Sequence, residues 1–487
     1  MYAKFKQLGK ESVIYGLGGV ASKFIGFFLL PVYTRVFNPA DYGIMDVIAT
    51  MTALAGIILT AGTETALSYY FYKFRDPVEQ RKTVTTTGFY LLAINALVAA
   101  IVWLASDRLS VLAFDEGGYG VYLRVAILSI PFSSLMTLNF NVLRLQRRPW
   151  SYVGLSLSQF LFTVLLNIYL VVILRVGIIG VFWTNVIAAF LFSATGIVVN
   201  RSYFGKAFEW KRLAQLLSYG LPLVIGGLSM WSINYLDRYF LLRFSTLEQI
   251  GLYSVGLRLA SVVAFLTWAF RLANAPFQFE MASEQDAPQI YSRTLTYYVL
   301  ITSLICVPLS LFARPALRLL TTEAYVDAYK VVPFAAYSAV AYGAYQLVGV
   351  GLLVTKKTGF TGLAIGAGAL VNTGYLFALV PPLGIVGAAL AVLLTHVTVV
   401  ILLYIGAQRA YFIPYDLGRV LRVLVCAGIV IGGGTLIRPQ GFWADVLIAA
   451  GFCAIFLVML PTLSLVEPRE QRVILDKLRL PIGPKGG

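Results

Sequence analysis

"NPADYGIMDV", residues 38–47, has a counterpart 208 residues further on, "TLEQIGLYSV", residues 246–255. Three more pairs follow the same spacing and the same order. "YGLGG" (15–19) faces "YGLPL" (219–223) at an offset of 204. "LQRRPW" (145–150) faces "VTKKTG" (354–359) at 209, and "VGIIGV" (176–181) faces "LGIVGA" (383–388) at 207. Four weak matches in order, at nearly one offset, mark an internal duplication. The step from 204 to 208 is an insertion of about one helical turn near residue 220.

The duplicated unit is apolar. Of 487 residues, 59% are hydrophobic and 12% charged, against about 25% charged in soluble domains. Windows of about 20 apolar residues give fourteen candidate membrane helices, the first over 12–36 and the last over 442–463. The chain is therefore expected to be an all-α polytopic membrane protein. Six spans make one copy of the repeat, so both copies enter the bilayer from the same side. Two parallel six-helix lobes around a central cavity, residues 1–206 and 207–408, are expected. A C-terminal helix pair and tail would follow in 409–487. That is an arrangement of transporters, with a site at the seam near the midplane. Residues 1–10 read as a short tail, since no small-residue cleavage site follows the first span.

Charge sets the orientation. Of 38 Lys and Arg, 26 fall on the face that carries the N-terminal tail and nine on the other. This bias places both termini in the cytoplasm and accounts for the net charge of +16 without nucleic acid. Cys306, Cys426 and Cys453 lie in apolar runs, and the single His396 cannot form a metal cluster, so no metal or cofactor is expected. The outer loops are short, and the adjacent acids Asp115 and Glu116 read as a solvated turn. A membrane glycan polymerase or ligase would need paired catalytic groups at an accessible surface.

Two cations lie deep in the expected spans: Lys23 in span 1 and Arg258 in span 8 (248–271). Their repeat mates, Gly227 and Thr50, are neutral. A mid-membrane cation costs about 2.5–3.5 kcal/mol on insertion scales. It can be held by an ion pair, it can snorkel, or it can line a hydrated cavity for an anionic cargo. Asp46, Asp237 and Glu64 lie nearer span ends, which favours the hydrated cavity. Arg124, shallow in span 4, is expected to snorkel. Arg271 is placed at the cytoplasmic end of span 8, before a break at "NAPF" (274–277), as a candidate portal for an anion. At the outer face, Arg35 and Asp41 of the first lobe could latch to Asp237 and Arg238 of the second.

"SVIYGLGGVASKFIGFFLLPVYTRVFNPADYGIMDV" (12–47) and "LDRYFLLRFSTLEQIGLYSVGLRLA" (236–260) resemble polysaccharide flippases. These form the Wzx-like branch of the multidrug/oligosaccharidyl-lipid/polysaccharide exporter superfamily. The resemblance implies alternating access that moves undecaprenyl-diphosphate-linked sugars from the inner to the outer leaflet. It implies spans 1, 2, 7 and 8 around the cavity, with Lys23 and Arg258 receiving the diphosphate. It further implies a place in the plasma (inner) membrane, in lipopolysaccharide or O-antigen biosynthesis, beside membrane partners in polysaccharide assembly. Fourteen spans also match the lipid II flippase branch. A cation-coupled drug exporter of the same superfamily would need an intramembrane carboxylate, and span 1 has none after Glu11.

Overall fold

The structure, a computed structural model, describes residues 25–462 except 207, 283 and 438–440. Lys23 and most of span 1 lie outside the described residues. Twelve helices among those described are long and apolar enough to cross a membrane. The protein is thus an all-helical, multi-pass membrane protein.

The first half opens with α1 (Leu30–Val36), the end of span 1. Span 2 is α2 (Pro39–Thr60) followed by α3 (Thr63–Lys73). Then come α4 (Pro77–Phe114), α5 (Gly120–Leu145), α6 (Pro149–Asn167) and α7 (Ile178–Val199). The second half runs α8 (Trp210–Phe244), α9 (Leu247–Met281), α10 (Ala287–Leu311), the short α11 (Ala313–Leu320), α12 (Val332–Val348), α13 (Val350–Val354) and α14 (Gly359–Ala410). The chain ends with α15 (Leu417–Leu436) and α16 (Phe442–Thr462).

Local sequence fixes the helix starts. Pro39, Pro77 and Pro149 occupy first-turn positions, where the missing N–H is no loss. Asn38 and Asp41 form a reciprocal capping box on α2. In the repeat mate, the Thr246 side chain accepts from the Gln249 N–H at the start of α9. α14 has 52 residues, about 78 Å, more than twice a hydrocarbon core. Its backbone breaks at Gly384 (φ 54°), so it holds two spans. Gly177 (φ 79°), the mate of Gly384 at offset 207, bends the first half at the same place. A left-handed φ is what glycine alone adopts freely, so the duplication survives in backbone geometry.

The packing repeats as well. In the first half α5 packs against α4 and α7, and in the second half α12 packs against α10 and α14. The halves meet along α2 against α9, with α8 against α2, α3 and α4. A Cβ on Gly43 would overlap the Leu247 carbonyl, and one on Gly251 would overlap the Pro39 carbonyl. Gly43 and Gly251 are repeat mates, and so are Pro39 and Leu247. Each copy therefore touches the other through the same reciprocal contact, as a twofold relation requires.

Two expectations are corrected. α9 does not break at 274–277 but runs on to Met281. Beyond Pro276 the helix is tied to its neighbours: Tyr291 donates to the Gln278 carbonyl at 2.7 Å, and Gln278 donates to the Gln346 carbonyl. Span 2, expected as one helix, is interrupted by Ala61 (φ 48°) and Gly62 (φ 67°), both left-handed. Apolar windows cannot register such a break, because both residues are compatible with helix composition.

Candidate functional site

Arg258 lies eleven residues into α9, about 16 Å along its axis. It is half-buried at the seam between the halves. Its Nη1 donates to the Gly26 carbonyl of span 1 at 3.1 Å, and its guanidinium lies 5.0 Å from the Tyr42 ring centroid. Among the described residues no carboxylate pairs with Arg258. Among the described residues this guanidinium meets a neutral carbonyl and a ring face, and no opposite charge.

Arg238, on α8, is the opposite case. Its Nε bonds Asp46 of α2 at 3.1 Å and its Nη1 bonds Asp237 at 2.7 Å. Tyr253 of α9 donates to the other oxygen of Asp237. Asp237 is 1% exposed and Arg238 7%. The cluster ties the two halves together at the Gly43–Gly251 crossing.

The expected latch of Arg35 and Asp41 onto Asp237 and Arg238 does not form. Asp46 takes the place of Asp41, because Asp41 is committed to capping α2. Asp46 lies five residues further along the helix, and that step of about one and a half turns brings it to Arg238. Arg35 and Asp41 instead line a separate cavity with Arg175. Further cross-seam contacts close this end. Tyr325 donates to the Phe37 carbonyl at 2.9 Å, and Arg243 lies 3.7 Å from Asp115.

Arg271 does not end its helix. It lies ten residues before Met281 and is held inside the second half. Its Nε donates to Gln346 at 2.8 Å and its Nη2 to the Tyr345 hydroxyl at 3.1 Å. It also lies 4.6 Å from the Tyr342 ring centroid. Arg124 bonds Ser106 at 2.7 Å and pairs with the exposed Asp107. His396 is buried in packing, with Nδ1 2.9 Å from Ser338 Oγ. Among the described residues no His/Cys/Asp/Glu cluster could hold a metal.

Sequence reasoning missed a second charged crossing. Arg212 at the start of α8 bonds Glu79 at the start of α4 and lies 4.0 Å from the Phe74 ring centroid. The segment between the halves is strapped to α4 by the same residues' neighbours. Arg81 donates twice to the Phe204 carbonyl, and Gly205 N–H donates to Thr85 at 2.9 Å. The run "TVTTTG" (83–88) was the available signal, since four of its residues are buried threonines.

Residues 32–330, more than half of the chain, match the family model described as polysaccharide biosynthesis protein. The chain belongs to that family. Within the family's reach, it is 27% identical over 304 residues to protein 1 of the Lsg locus of Haemophilus influenzae, covering 60% of this chain and 71% of that one. It is 24% identical over 282 residues to an uncharacterized membrane protein of the same organism, covering 56% and 65%. Its fold is similar to that of the lipid II flippase MurJ in an inward closed conformation. There the TM-score is 0.71 at 13% identity, over 93% of this chain and 99% of that one. An inward-facing multidrug resistance MATE family transporter of the MOP superfamily gives 0.60 at 14% identity, over 82% and 94%. This member of the polysaccharide biosynthesis family therefore has the fold of MOP-superfamily transporters.

Proposed function

We propose that the protein is a flippase that carries a polyprenyl-diphosphate-linked oligosaccharide from the inner to the outer leaflet by alternating access. The observation that carries this reading is Arg258: a mid-helix cation, half-buried at the seam, with no carboxylate partner among the described residues. A diphosphate brings about two negative charges, and an uncompensated guanidinium offers it charge-assisted, bidentate hydrogen bonds. Lys23, three residues before Gly26 in the sequence, supplies the second cation in this reading. Undecaprenyl diphosphate is the carrier we assign, with a polysaccharide repeat unit as its head.

The head group must be shielded across about 30 Å of hydrocarbon, whereas the tail can remain in lipid. An apolar cavity of about 870 Å³ between α10, α12, α14 and α15 suits such a tail, lined by Val299, Phe334, Val340, Leu394, Val420 and Leu424 among others. Release follows from wetness: a half-exposed arginine binds tightly enough to capture and loosely enough to let go. An inside-negative potential favours outward movement of negative charge by about 2.3 kcal/mol per charge per 100 mV. The Arg238–Asp46 crossing serves as the outer gate in this cycle. Arg271, locked to Tyr345 and Gln346, acts as a brace of the inner half rather than as a first receptor. The protein then belongs in the cytoplasmic membrane with both termini inside, beside partners in polysaccharide assembly.

The test is export of a cell-surface polysaccharide in a flippase-deleted host, with protein levels checked. Lys23→Arg should retain export, and Lys23→Ala with Arg258→Ala should abolish it. Full export by that double variant would refute the reading.

A further inference from the structure

The end of span 1 and the turn after α6 enclose a cavity of about 610 Å³, lined by Arg35, Asp41, Tyr122, Val171, Arg175 and Gly177 among others. Two arginines 140 positions apart in sequence thus converge on one space. Both are exposed, and neither guanidinium meets a hydrogen-bond acceptor or a carboxylate among the described residues. The one acid in the lining, Asp41, accepts from Asn38 N–H at 3.3 Å and caps α2. Its carboxylate is already engaged at a helix N-terminus, which is itself positive.

The repeat shows that this cation pair is not demanded by the fold. The mate of Arg35 is Arg243, which lies beside Asp115 at 3.7 Å. The mate of Arg175 is Pro382, which carries no charge and cannot adopt a positive φ. Arg175 holds φ at 51° as the left-handed residue that ends this helical segment, where the Val176 N–H closes onto the Leu170 carbonyl at 3.0 Å. The cation mate in the second half is answered by a carboxylate, whereas Arg35 and Arg175 are two guanidinium groups without a partner among the described residues around one cavity, an arrangement suited to an anion.

We propose that this cavity binds a phosphate or diphosphate group carried on a lipid, as an anion site separate from Arg258. Guanidinium forks match phosphoryl oxygens bidentately, and the exposed apolar side chains of Val36 and Val172 accept the first part of an attached chain. The cavity lies on the face where α2 begins, which the flippase reading makes the outer one. The identity of the lipid as departing cargo rests on that reading; the binding itself does not.

The experiment uses the full chain carrying Arg258→Gln, in nanodiscs of phosphatidylcholine, titrated calorimetrically with geranyl diphosphate. One site should remain. Adding Arg35→Gln and Arg175→Gln should weaken it by about tenfold or more, and Lys at both positions should restore much of it. Nanodiscs containing phosphatidylglycerol separate the sources. If native mass spectrometry finds that lipid retained by Arg258→Gln, lost from the triple variant, and displacing geranyl diphosphate, the site holds a resident bilayer lipid. If geranyl diphosphate alone is held, it serves the cargo. Both arginines are exposed, so the variants should fold, and a thermal melt checks this. If neither probe is affected by removing both arginines, the proposal is overturned, whatever the transport assay shows for Arg258.

Discussion

Arg238 and Arg258 stand on neighbouring helices of the same seam, and their surroundings differ. Arg238 is 7% exposed and answered by Asp46, Asp237 and, through Asp237, Tyr253. Arg258 is half-buried and answered by one carbonyl and one ring. The difference separates a charge that holds the halves together from one that, in the proposed function, is kept available for the cargo. A buried ion pair loses most when one partner is removed, because the other is left uncompensated. Removing a half-buried cation that has no carboxylate partner among the described residues should cost little stability and, in the proposed function, should cost the cargo.

The largest expected effect follows from that asymmetry. Arg238→Met should lower stability by about 3–5 kcal/mol, since two carboxylates are left without their cation. Thermal unfolding in detergent reads this, and adding Asp46→Asn with Asp237→Asn should recover most of the loss. An unchanged melt in the single variant would put Arg238 in the same class as Arg258.

The reciprocal glycine crossing comes next. Gly251→Ala places a methyl group against the Pro39 carbonyl and forces α2 and α9 apart, at about 1–3 kcal/mol. Cysteines at Ala40 and Glu248, near this crossing, should then crosslink less readily than in the parent. Unaltered crosslinking would mean that the outer seam closes without the contact. The smallest effect belongs to Arg124. Its pair with Asp107 is partly exposed on both sides, so Arg124→Gln should change the melt by about 0–1 kcal/mol. A larger loss would give this shallow pair a weight it shares with Arg238.

Much of the fold is legible in the sequence because bilayer thickness and the repeat offset are crude, strong constraints. The "VGIIGV"/"LGIVGA" match anticipates the paired bends at Gly177 and Gly384, and "NPADYGIMDV"/"TLEQIGLYSV" anticipates the Gly43–Gly251 crossing. The charged partners are less legible, because pairing depends on helix rotation and tilt. Asp41 and Asp46 look equally available beside the loop, yet one turn of capping geometry commits the first and frees the second. "NAPF" reads as a stop, but bonds from Gln278 to Gln346 and from Tyr291 to Gln278 carry the helix through. Arg271 accordingly lies inside the continuous helix, bonded to Gln346 and Tyr345.

The central claim is that Arg258 holds the diphosphate of a lipid-linked cargo. Its most direct test is native mass spectrometry of the protein purified from cells making polyprenyl-diphosphate sugars, with Arg258 present in the parent and replaced in Arg258→Gln, both in an Arg35→Gln, Arg175→Gln background that removes the second anion site, at matched melting temperature. The account predicts that the parent retains a diphosphate lipid and that the variant loses it by about tenfold or more. Equal retention by a well-folded Arg258→Gln would contradict it.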